Sequence, residues 1–99
     1  MNDESMIYDD AAARVVELAN KLSDDDQTAD LWDIADGLLA GAVHYWFYSR
    51  QPCGDADCQD CLGLATAELR LKELQKLVEE FSRSSEYFHS PTDIDAGHA

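Results

Sequence analysis

HYWFYSRQPCGDADCQDC, His44 to Cys61, runs an unbroken aromatic block straight into a loop that carries all three cysteines of the chain. Successive residues of a helix lie about 100° apart, so His44, Tyr45, Trp46, Phe47 and Tyr48 ring its whole circumference. One core can take one side of that ring. The other sides must meet a metal site, a second subunit or a different protein. Pro52 and Gly54 then end the helix and open the cysteine loop, which divides the chain into two helical stretches.

Upstream, Ile7, Ala11, Val15, Leu18 and Leu22 recur at spacings of four and three, which predicts a helix over about 5–22 with one apolar stripe. Ser23, Asp24 and Thr28 are candidate caps, and Asp24 with Gln27 has the spacing of a capping box. A second helix is expected over about 24–50. Its core stripe is Leu31, Ile34 or Ala35, Leu38, Ala42 and Tyr45, with Trp32, Leu39, Val43 and Trp46 beside it. Gly37 and Gly41, one turn apart, each cost about 1 kcal/mol against Ala inside a helix. Either another backbone approaching closely there or a kink in the helix accounts for that cost.

Downstream, Leu64, Ala67, Leu71, Leu74, Val78, Phe81, Ser85 and Phe88 alternate three and four residues apart. Such a seam predicts one long helix over about 58–88, close to 43 Å at 1.5 Å per residue. No segment shows the β-branched alternation of a strand. The fold class read from these patterns is all-α: a three-helix antiparallel bundle in a single domain, 1–90, followed by a loose acidic tail, 91–99. The third helix outreaches the first two, so part of its seam calls for a partner helix or a second copy.

Charge narrows the partners. The chain has a formal net charge of −14. Residues 1–36 hold eleven acids against Arg14 and Lys21. Binding to nucleic acid or anionic lipid needs clustered Lys and Arg, and none are present. The same field favours a basic protein partner, or serves solubility alone. The acidic MNDESMIYDD start lacks the features of a signal peptide, and the apolar run Leu38 to Tyr48 is too short to cross a bilayer. A soluble, cytoplasmic protein is expected.

Cys53, Cys58 and Cys61 follow a C-x4-C-x2-C spacing. Three thiolates plus one imidazole form a known closed zinc set, and His44 is the histidine nearest the loop in sequence. Plant-type [2Fe–2S] ferredoxins share the spacing but complete it with a fourth cysteine, which this chain lacks. Free thiols are the plainer alternative. No phosphate-cradling loop, calcium loop or oxyanion motif stands out, so an enzyme is not expected.

The expected function is therefore binding of another protein, with a basic or apolar surface, or of a second copy. Tyr45, Trp46, Phe47 and Tyr48 with Trp32 would anchor it, joined by Leu74, Val78, Phe81 and Phe88 of the seam. A regulator that sequesters a transcription factor or other nucleic-acid-binding protein, as an anti-activator or DNA mimic, is one form. The alternative is a zinc-binding structural module of Cys53, Cys58, Cys61 and His44.

Overall fold

The computed structural model describes residues 3–55 and 57–93, excluding the side chains of 3–5 and 60. It is all-helical there: α1 (Asp3–Asp25), α2 (Leu31–Ser49), a 3-10 turn (Gln59–Leu64) and α3 (Ala67–Ser84). No strand occurs among the described residues. The chain forms two compact units, Met1–Ser49 and Arg50–Ala99.

In the first unit, α1 runs three residues past the expected Leu22. Helical bonding continues as far as Asp26 N–H donating to the Leu22 carbonyl. The break therefore falls at 26–30 and not at the Ser23–Asp24 caps. Two short-range bonds fix it there. The Asp26 carboxylate accepts from both the Thr28 hydroxyl, at 2.6 Å, and the Thr28 N–H. Asp30 then caps α2 by accepting from Trp32 N–H at 2.9 Å. An aspartate at the start of a helix satisfies an orphan amide and complements the dipole. α1 ends less favourably, with Asp24 and Asp25 at the negative end of its dipole. The Lys21–Asp25 pair, 3.2 Å apart, offsets part of that.

α1 and α2 are in contact. Only Ala19 and Ser23 of α1 are half-buried among its described side chains, and on α2 Ile34, Leu38, Val43, Trp46 and Phe47 are half-buried. One heptad beyond Leu38, on the same face, Tyr45 is 68% exposed. The apolar stripe of α1 is exposed throughout, with Ile7 at 70%. The core expected along both stripes is thus absent: no described residue is buried. A Cβ at Gly37 or Gly41 would meet nothing within 4 Å, so the close backbone approach expected at those glycines is not made among the described residues of the first unit.

In the second unit, the long helix expected over 58–88 is cut at both ends. Thr66 is extended (φ −124°, ψ 161°), and its hydroxyl accepts from Leu69 N–H. Arg70 donates to the Leu64 carbonyl at 2.9 Å, satisfying the end of the 3-10 turn. At the far end the Ser84 hydroxyl bonds the Glu80 and Phe81 carbonyls, and Ser85 turns extended. Hydroxyls that bond the local backbone compete with helix continuation. The 18 residues of α3 span about 27 Å, so Leu64, Ser85 and Phe88 fall outside it. Beyond it, Ser90 and Asp93 close a turn. The rest of the expected tail, 94–99, lies outside the described residues.

Candidate functional site

The loop between Arg50 and the 3-10 turn draws the three cysteines together. Gly54 has φ +91°, a left-handed conformation that suits glycine. Asp55 then closes two bonds: its carboxylate accepts from Asp57 N–H at 2.9 Å, and its carbonyl from Cys58 N–H at 3.0 Å. Cys61 N–H in turn donates to the Cys58 carbonyl. These short-range bonds place all three Sγ atoms within 4.8 Å of one another. Cys53 and Cys61 sulfurs are 3.6 Å apart. A disulfide needs about 2.05 Å, whereas a tetrahedral ion about 2.3 Å from each sulfur separates them by about 3.8 Å. The Cys53–Cys61 separation is close to that of two ligands on one ion, and the cluster is compatible with a metal site.

Cys53 N–H also points at Cys61 Sγ, 3.5 Å away. That amide draws the Cys61 thiol down. Hydrogen bonding with the Cys58 and Cys53 thiols, partial burial and the Cys53 charge outweigh it, so the thiol stands above its ordinary value. A bound cation would displace the thiol protons.

Cys58 and Cys61 also form one wall of a cleft of about 210 Å³, lined further by Pro52, Gly54, Asp55, Leu62 and Ala65. Leu62 and Ala65 fall within the long helix expected over 58–88; the cap at Thr66 leaves them outside α3, and both line the cleft.

The residues expected to meet a partner lie mostly in the open. Trp32 is 80% exposed and Tyr48 70%. Trp46 and Phe47 are half-buried and meet edge to face, ring centroids 5.4 Å apart. Tyr45 and Tyr48 pair at 5.7 Å. His44 is exposed on α2 in the first unit, where it shares a shallow groove with Asp36, Leu39, Ala40, Val43 and Phe47. On α3, Val78 and Phe81 are exposed and Leu74 half-buried. Phe88, past the helix end, lies against His89 and under the Arg83 guanidinium.

No helix among the described residues is long and apolar enough to cross a membrane. No protein family, curated protein or solved structure matches the chain.

Proposed function

We propose that this protein works without catalysis, by binding another protein through the apolar faces of its helices. One observation carries the reading: no described side chain is buried, while Trp32, Tyr45 and Tyr48 are all more than two-thirds exposed. Large apolar side chains left open in this number mark interaction sites. Aromatic side chains are also the usual anchors of interfaces. The partner we favour has a basic rim around an apolar centre. Two copies of a chain of net charge −14 repel, whereas a basic protein is drawn to the acidic first unit. A regulator that sequesters a nucleic-acid-binding protein fits this chemistry.

The test pairs affinity with stability. Trp32→Ala should weaken the partner complex while leaving thermal unfolding of the chain unchanged. Retention of the partner by Trp32→Ala, Tyr45→Ala and Tyr48→Ala alike would contradict the reading. Sedimentation at several concentrations separates a second copy from a different partner.

A second reading rests on the thiol spacing: Cys53, Cys58 and Cys61 hold a structural zinc ion. Soft thiolate donors suit zinc, and the loop is already folded around them. Metal content of protein purified without added metal tests it. Absent zinc together with three titrating thiols would remove it.

A further inference from the structure

The sulfur cluster supplies three donors, and a tetrahedral ion takes four. Among the described residues, the side chains that gather for a metal are Cys53, Cys58 and Cys61 alone. His89, the histidine described in the same unit, lies beyond α3, and its side chain is 85% exposed beside Asp93. The cleft bordered by Cys58 and Cys61 offers a route to the ion from outside, past Pro52, Leu62 and Ala65. Those walls are small or apolar and provide no nitrogen or sulfur donor of their own.

Charge selects what enters. A divalent ion held by three thiolates carries a net −1. Asp55 on the cleft wall, and Asp57 bonded to it, add further negative charge. That charge disfavours a fourth anionic ligand relative to a neutral nitrogen donor. Three thiolates and one imidazole also make up a stable zinc set.

We propose that the metal held by Cys53, Cys58 and Cys61 keeps its fourth coordination position open to the Pro52–Ala65 cleft, where it takes a neutral imidazole from another molecule. The ion is then a docking point, completed when a histidine of a partner enters the cleft. This inference rests on the metal reading above and goes beyond it in naming the source and chemistry of the fourth ligand.

Cobalt(II) titration of the full chain under anaerobic conditions tests both and tells them apart. Cobalt bound by three thiolates gives sulfur-to-metal charge-transfer absorption together with visible bands sensitive to the fourth ligand. Added imidazole should shift the visible bands and leave the charge-transfer intensity unchanged. Ethanethiol, as its thiolate, would raise that intensity by about one third, four sulfurs replacing three, and should do so only at much higher concentration than imidazole needs. Leu62→Trp, which narrows the cleft and keeps all three thiols in the chain, should keep cobalt binding and lose the imidazole response. Failure to bind cobalt at all would overturn the metal reading and this inference with it. Cobalt bound with visible bands indifferent to imidazole would overturn this inference alone. In that case the fourth ligand belongs to the chain, and a spectrum altered by His44→Ala would identify it. Preference for thiolate over imidazole would overturn the charge argument.

Discussion

The two units are incomplete in different ways. In Met1–Ser49 the helices form well but cover little of each other, so what is missing is apolar area. In Arg50–Ala99 the loop is closed by short-range hydrogen bonds and gathers three sulfurs, so under the proposed metal reading what is missing is a fourth ligand. The first deficit is non-directional and can be met by any matching apolar surface. The second would be directional, met only by a donor atom placed within about 2 Å of an ion. The contrast teaches that exposed surface and exposed chemistry need separate tests, because a variant that damages one should leave the other intact.

The largest expected effect lies in the cysteine loop. Cys58→Ser should weaken zinc or cobalt binding by more than about 100-fold, beyond the loss typical for residues that merely support a ligand. Competition against a chelator measures it. Helicity of α1 and α2 by circular dichroism should not change. If both fall together, the two units are not independent in the way described.

Trp32→Ala comes next, with an expected loss of about 2 kcal/mol or more in partner affinity, on the scale of interface anchors. Its effect on unfolding should stay within about 0.5 kcal/mol, as for other surface substitutions. Trp46→Ala sharpens the comparison. Trp46 is half-buried, so stability and affinity should both drop.

Thr66→Ala removes the hydroxyl that caps α3 and should cost about 1 kcal/mol, read from thermal unfolding. Gly41→Ala should stabilise the isolated chain by up to about 1 kcal/mol, since a Cβ there meets nothing. The same substitution weakens the complex if the partner's backbone seats on that face. An unchanged affinity would place the interface elsewhere on α2.

The smallest effect is pH-dependent. The Asp26 carboxylate is held below its ordinary value by the Thr28 hydroxyl and then by the Thr28 N–H. A depressed carboxylate stabilises the fold above the unfolded-state value and loses that contribution as pH falls through the folded-state one. The α1–α2 turn should therefore be intact at neutral pH and loosen only in acid. The Thr28 amide shift in a pH titration reports it, and Asp26→Asn should flatten the response.

How much of this was legible follows from the range of each interaction. Helical periodicity is local, so the all-α class and the approximate positions of α1 and α2 could be read directly. The Leu64-to-Phe88 seam was real as a pattern but misleading as a length. A hydrophobic period says nothing about Thr66 capping Leu69, or about Ser84 bonding back to Glu80 and Phe81. The stripe from Ile7 to Leu22 was likewise correct as a pattern and wrong as a core, because its burial depends on a cover that the described residues do not supply. Cysteine spacing was legible because Asp55 and Gly54 fold the loop within a few residues. His44 is the histidine nearest the loop in sequence, and spacing alone cannot fix a ligand whose approach depends on longer-range packing.

The central claim is that the helices of the isolated chain leave their aromatic anchors open to solvent. Acrylamide quenching of the Trp46→Phe variant, which leaves Trp32 as the one indole, measures this most directly when sedimentation on the same sample shows a monomer. Quenching of Trp32 close to that of a free indole, falling when the partner is added, is expected. A monomer whose Trp32 is shielded from acrylamide in the absence of any partner would contradict the claim.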